Sequence, residues 1–235
     1  MPDPIIELEL YLVRHGESRS NAGLPTGDDP QSAADPFLSD KGLRQAQLLG
    51  EYYARVPFDS IIASGMNRAL QTAAEAAKRQ TYATLVETHP IFTECGVGTD
   101  FGEKPFERVR ETAPCAIPAE GADPNGNFIF TQNSPSDEMR MARAKESIRY
   151  LRERFHNGER VMLIAHANFN TFFVFAALGL STHEIFDIAF ANTGVTKLVF
   201  YKAGTGLWGA DTHMIYHNDR SHLANEFPDD LLTKL

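Results

Sequence analysis

An arginine and a histidine stand side by side in the string Leu12-Val13-Arg14-His15-Gly16-Glu17-Ser18, at the end of an apolar run formed by Leu8, Leu10, Leu12 and Val13. The planar fork of a guanidinium matches the oxygens of a phosphate, and an imidazole is a nucleophile or proton carrier near neutral pH. The placement recurs downstream, where His166 closes the apolar run Val161-Met162-Leu163-Ile164-Ala165. Arg68 follows Ile61, Ile62 and Ala63 within what reads as the first turn of a helix, a position that already favours anions. Two arginines and two histidines so placed suit chemistry on a phosphoryl group. Transfer through histidine needs a neutral imidazole in line, donors for the equatorial oxygens and an acid for the departing oxygen.

For these side chains to meet, their apolar runs must be strands of one sheet. Gly16 ends the first run, and a polar turn ends the run before His166. Strand signals over residues 8–13, 60–64 and 161–165 alternate with helical patterns, which predicts an α/β fold with a largely parallel central sheet. In such sheets ligands bind at the C-terminal edge of the strands. Ser39 is the expected N-cap of a helix carrying Leu43, Ala46, Leu49, Tyr53 and Val56, and an alanine-rich helix is expected over residues 67–78. Leu85, Val86, Ile91 and Phe92 suggest a short third strand. Ser136 begins a helix with Met139, Ala142, Ile148, Leu151 and Phe155 on one face, and another helix covers residues 168–178. Residues 194–201 and 207–216 read as two further strands, a hairpin across residues 203–206. Residues 93–135 carry no clean periodicity, and a loop that long is usually functional. The expectation is one catalytic domain over residues 1–235, with 93–135 an insertion or lid over the site.

A net charge of -9 speaks against attraction to nucleic acid or an anionic membrane, and any phosphate site must build a local positive patch against it. Cys95 and Cys115 make no disulfide framework and no zinc cluster, so reduced thiols in a cytoplasmic protein are expected. The N-terminus lacks the pattern of a signal peptide, and no window reaches the roughly 18 apolar residues of a membrane span. His213, His217 and His222 lack a metal-ligand spacing and read as solvated or capping groups.

The string Arg14-His15-Gly16-Glu17-Ser18, with Asn21 after it, resembles the signature of the histidine phosphatase superfamily, the phosphoglycerate mutase-like enzymes. The segment from Ala63 to Ala73, with Arg68 followed by Gln71-Thr72-Ala73, is similar to the second signature of that family, Gly65 and Met66 departing from its common mutase form. Ala167 and Asn168 stand where glycines usually follow the second histidine. The resemblance implies a three-layer α/β/α sandwich and a metal-independent phosphomonoesterase without cofactor, acting on a small phosphorylated substrate. In that scheme His15 attacks phosphorus, Arg14, Arg68 and His166 stabilise the transferring group, and Glu94 is the proton donor, with Glu87, Asp100 and Glu103 as competitors. Ser18, Asn21 and the Ala167 N–H fall around the phosphate, whereas Asn192, Thr193 and residues 218–223 are structural support. A phosphoglycerate mutase is the alternative, and a non-catalytic phosphate-binding or scaffolding protein the second alternative. Lys104, Arg108 and Arg110 do not form the basic pattern expected of a mutase, and Phe101, Phe106, Phe128 and Phe130 give the same segment a small apolar core.

Overall fold

The apolar run before His15 forms strand β1 (Ile6–Arg14), whose side chains alternate between two cores. Tyr11 and Val13 pack with Leu49, Phe58 and Leu70 on one side, while Leu8, Leu10 and Leu12 pack with Leu151, Phe169 and Phe173 on the other. From Leu10 to Val13 both faces are covered and every residue is apolar, whereas Glu7 and Glu9 fall before that stretch, where one face is open. The structure is a computed structural model and describes residues 3–27, 30–95, 102–129, 136–181 and 188–231.

Helices α1 (Pro30–Ala34) and α2 (Asp40–Tyr53) follow β1. Ser39 caps α2, its Oγ accepting the Gly42 N–H at 3.0 Å. Strand β2 (Ser60–Ala63) leads into α3 (Asn67–Ala77), and β3 (Val86–Thr88) precedes α4 (Phe106–Thr112) and β4 (Ala116–Pro118). Then come α5 (Asp137–Arg154), β5 (Glu159–Ala165), α6 (Ala167–Leu178), β6 (Val195–Tyr201) and β7 (Thr212–Asp219). The sheet order is β4-β3-β2-β5-β1-β6-β7, parallel from β4 through β1, with β6 antiparallel to β1 and β7 antiparallel to β6. Helices α2 and α3 supply the core on one face, α5 and α6 on the other, giving the three-layer arrangement. No helix among the described residues is long and apolar enough to cross a membrane.

Strand β5 lies between β1 and β2, with Arg14 beside Ala165 and Ala63 beside Ile164. The three strands therefore end together. The His15 N–H donates to the Ala165 carbonyl at 3.0 Å, and the Ser64 N–H to the Ile164 carbonyl at 3.1 Å, so the chain leaves the sheet at one edge in all three places.

Several elements differ from the sequence reading. Strand β3 stops at Thr88; Ile91 and Phe92 belong to a short helical turn opened by Pro90, which has no N–H for a ladder. Within 93–135, α4 and β4 are too short to show a period, and β4 joins the sheet edge beside β3. Helix α5 buries Met141, Ala144, Ser147 and Leu151, which turns Met139 and Ala142 toward solvent. Leu207–Gly209 form a turn, and β7 begins only at Thr212.

The loop after His15 rests on the first turn of α2, backbone against backbone. A Cβ on Gly42 would lie 1.9 Å from the Glu17 carbonyl oxygen. Exchanging glycine for alanine inside a helix ordinarily stabilises by about 0.5–1 kcal/mol, but overpacking of this kind costs about 1–3 kcal/mol. Gly42→Ala is therefore expected to lower the urea unfolding midpoint, and a raised midpoint would refute the close packing of this loop.

Candidate active site

His15 is buried at the sheet edge, and its Nδ1 lies 2.7 Å from the Gly16 carbonyl oxygen. A carbonyl only accepts, so Nδ1 carries the proton and Nε2 keeps its lone pair. That lone pair accepts the Arg68 Nε–H at 3.2 Å. Thr72, one turn after Arg68 on α3, joins the two segments: its Oγ accepts the Gly16 N–H at 3.0 Å and donates to the Arg68 carbonyl at 2.7 Å. From the other side the Asn192 side-chain amide donates to the His15 carbonyl at 3.0 Å, and the Thr193 N–H donates to that of Arg14 at 3.0 Å. Thr193 has φ 54°, a left-handed backbone held in place by these bonds and by His222 Nε2 at 2.9 Å from its hydroxyl.

Arg14, the last residue of β1, donates through Nη1 to the Phe190 carbonyl at 2.6 Å. Arg14 Nε and Arg68 Nη1 are buried and have no hydrogen-bond partner among the described residues. Such donors are what an incoming anion satisfies. His166 follows β5 directly, and its ring centroid lies 5.2 Å from that of His15. Its Nε2 shares a hydrogen bond of 2.9 Å with the Ser64 hydroxyl, while Nδ1 is buried without a partner among the described residues. Burial first, then the charges of Arg68 and Arg14, holds the pKa of both imidazoles well below 6.5.

Glu94 comes just after the Pro90–Phe92 turn and meets the N-terminus of α6. Its Oε1 accepts the N–H groups of Cys95 at 2.8 Å and Phe169 at 2.9 Å. Burial raises the Glu94 pKa above 4.5, opposed by Arg68 and by these N–H donors. Of its competitors, Glu87 accepts from Ser60 at the opposite end of β2 and pairs with Arg154; Glu103 is exposed. Asp100 lies outside the described residues, as do Phe101 and Phe130.

Ser18 and Asn21 close a turn on each other: the Ser18 N–H donates to Asn21 Oδ1 at 3.3 Å, and the Asn21 N–H to Ser18 Oγ at 3.2 Å. Asn192 also reaches Asn21 Oδ1, at 3.3 Å, tying this turn to the backbone of His15. Ala167 is the first residue of α6, so its N–H stands at a helix N-terminus next to His166. Sequence reasoning passed over Ser64, Thr72 and the direct contact of Asn192 with the His15 backbone. Thr72 had a signal, since its spacing from Arg68 places both on one face of α3. It also passed over the buried Asp35, which touches Arg68, and weighed Lys104 only as part of a basic stretch, not as the buried partner of Asp35. Nothing in the local pattern marks those two.

The family described as histidine phosphatase superfamily (branch 1) matches residues 10–209. The adenosylcobalamin/alpha-ribazole phosphatase of Salmonella typhimurium is 40% identical over 67 residues, which is 28% of this chain and 31% of that protein. The chain thus spans less than a third of that relative's length in the match. A probable phosphoglycerate mutase GpmB of Photorhabdus laumondii is 26% identical over 191 residues, 81% of this chain and 84% of its own. The crystal structure of phosphoserine phosphatase from Entamoeba histolytica in complex with 3-phosphoglyceric acid superposes with a TM-score of 0.60 at 20% identity, covering 92% of this chain and 99% of that one. That last likeness is one of fold.

The surroundings of His15 make a spectroscopic prediction. Nitrogen NMR of the imidazoles at pH 6.5, where a free histidine is half protonated, is expected to show His15 neutral with its proton on Nδ1. A doubly protonated ring would contradict the burial and the two neighbouring arginines.

Proposed function

The chain belongs to the histidine phosphatase superfamily, and on that premise we propose that it is a metal-independent phosphomonoesterase working through a phosphohistidine on His15. The observation that carries the proposal is a neutral, buried imidazole whose Nε2 lone pair lies 3.2 Å from the Arg68 guanidinium. Nucleophile and phosphate clamp are thereby adjacent before substrate arrives.

In the proposed reaction His15 Nε2 forms a bond to phosphorus as the ester P–O bond breaks. Arg14, Arg68 and His166 donate to the equatorial oxygens, with the Ala167 N–H and the Asn21 amide as further donors and Ser18 shaping the turn that holds Asn21. Glu94 gives its proton to the departing oxygen. Water then attacks the phosphoimidazole, its proton passes to the Glu94 carboxylate, and the N–P bond breaks to release phosphate. The substrate is a small phosphate ester. The whole chain acts as one catalytic domain, with 93–135 covering the site; in support, this segment supplies both Glu94 and Lys104, and the Phe128 carbonyl oxygen lies where a Cβ on Gly65 would stand 2.1 Å away.

A mutase would return the phosphoryl group to a bound acid rather than to water, and the Photorhabdus relative favours keeping that reading in the test. With 3-phosphoglycerate, release of inorganic phosphate is expected for the phosphatase and formation of the 2-isomer for the mutase.

Two variants examine the chemistry. His15→Ala is expected to abolish hydrolysis of an aryl phosphate in the presence of a metal chelator, together with the acid-labile phosphoenzyme; full activity would overturn the mechanism. Glu94→Gln is expected to slow hydrolysis of an alkyl phosphate by about 10²–10⁴-fold, and that of an aryl phosphate with a good leaving group much less. The acid form of Glu94 disappears as pH rises through a pKa held above 4.5, whereas the neutral form of His15 persists well below 6.5. Wild-type kcat/KM should therefore fall toward alkaline pH, and this limb should be missing from Glu94→Gln acting on the aryl ester.

A further inference from the structure

A buried carboxylate with two cations borders the phosphate clamp. Asp35 lies just after α1, and its Oδ1 accepts the N–H of Asn67, the first residue of α3, at 2.8 Å. It caps that helix from a distance, because Met66 at the N-cap position supplies no side-chain bond. Oδ2 of the same carboxylate pairs with Lys104 Nζ at 2.7 Å, and Lys104 also donates to Asn67 Oδ1 at 2.6 Å. Arg68 Nη1 stands 3.7 Å from Asp35 Oδ1, an ion pair at longer range without a hydrogen bond. Asp35, Lys104 and Arg68 are all buried.

One carboxylate between two cations forces a choice. A buried carboxylate whose only cation is a guanidinium draws the fork into contact, since charge-assisted bonds strengthen away from water and a buried charge left without a partner is costly. The fork would then be spent on Asp35. Lys104, at the shorter distance, already satisfies Oδ2, so Arg68 stays at 3.7 Å with Nη1 uncommitted and Nε on His15. The trio also carries a net positive charge in a chain of net charge -9. We propose that Lys104 is a positioning residue for Arg68: by holding Asp35, it keeps the Arg68 guanidinium free to bind phosphate. Asp35 itself serves to set the start of α3. The inference rests on the proposed phosphate-binding role of Arg68, but not on turnover.

The sign of a double-mutant comparison tests it. Inorganic phosphate is titrated by calorimetry into wild type, Lys104→Gln, Asp35→Asn and the double variant, each first checked for a cooperative melt. Glutamine can still reach Asn67, and asparagine keeps the acceptor for the Asn67 N–H. Lys104→Gln is expected to weaken phosphate binding about tenfold, because Asp35 then captures Arg68. The double variant is expected to recover to within about threefold of wild type, because the capturing charge is gone. KM for an aryl phosphate should follow the phosphate Kd, with kcat changing less. If Lys104 only tethered its segment, the double variant would bind no better than Lys104→Gln, and that result overturns the proposal, as does unchanged affinity in Lys104→Gln. Should Lys104→Gln fail to fold, Asp35→Asn alone decides, since it must bind phosphate at least as tightly as wild type. A wild type that binds phosphate yet hydrolyses no ester would sink the proposed activity and leave this comparison intact; one that binds no phosphate would overturn both.

Discussion

The 2.7 Å hydrogen bond from His15 Nδ1 to the carbonyl of Gly16 is the interaction on which the rest of the site depends. It assigns the tautomer and so leaves Nε2 with the lone pair that a nucleophile requires. That bond is made in the loop by which the chain leaves β1, and the loop is held from two sides. Thr72 takes the Gly16 N–H, and the backbone around Gly42 presses against the same loop. The Thr72 bond also registers α3 against β1, so the helix that carries Arg68 is placed by the same contacts that orient the imidazole. Side chain, loop and helix are one mechanical unit.

Electrostatics then work against the chain's overall charge. A net charge of -9 surrounds a buried pocket edge where two guanidinium groups and two neutral imidazoles meet. Burial and then the arginines depress the imidazole pKa values, which keeps His15 a base rather than a cation, and Arg68 opposes the rise that burial imposes on Glu94. Burial shifts the two kinds of group in opposite directions, down for the imidazoles and up for the Glu94 carboxyl, which lets a neutral base and a protonated acid coexist at a single pH. Asp35 could have cancelled half of that positive charge. Its closer contact with Lys104 divides the carboxylate's attraction between two cations.

Much of the scaffold was readable from local pattern. Ser39 and Ser136 mark helix starts because an N-cap is a bond between residues three apart, and both hydroxyls do accept such an N–H. The runs before His15, Ser64 and His166 were readable because the stretches buried on both faces, residues 10–13, 61–63 and 161–165, are wholly apolar. Where elements are brief the pattern gives out. The seven residues of α4 and three of β4 hold too few periods to register, and α5 is so polar overall that the face it buries is chosen by β5 and α6 rather than by its own sequence. Glu87 shows the same limit at the site: by type it competes with Glu94, yet β3 directs it toward Ser60 and Arg154.

The sequence by itself determined which groups stand at strand ends, since a charged or polar residue directly after a buried run must emerge at the edge of the sheet. It therefore specified Arg14, His15 and His166 as candidates, and Arg68 by its place in the first turn of the helix after β2, along with the alternation of strand and helix that makes the fold α/β. Which edges lie together was decided only in three dimensions. Strand β5 enters between β1 and β2 although it starts only at Glu159, long after β1 ends at Arg14 and β2 at Ala63, and only that pairing sets His166 beside His15. The tautomer of His15, the distance of Arg68 from its Nε2, and the sharing of Asp35 between Lys104 and Arg68 belong to the same class. Each depends on contacts between residues far apart in sequence, and such contacts leave no period, cap or turn signal for a local reading to detect.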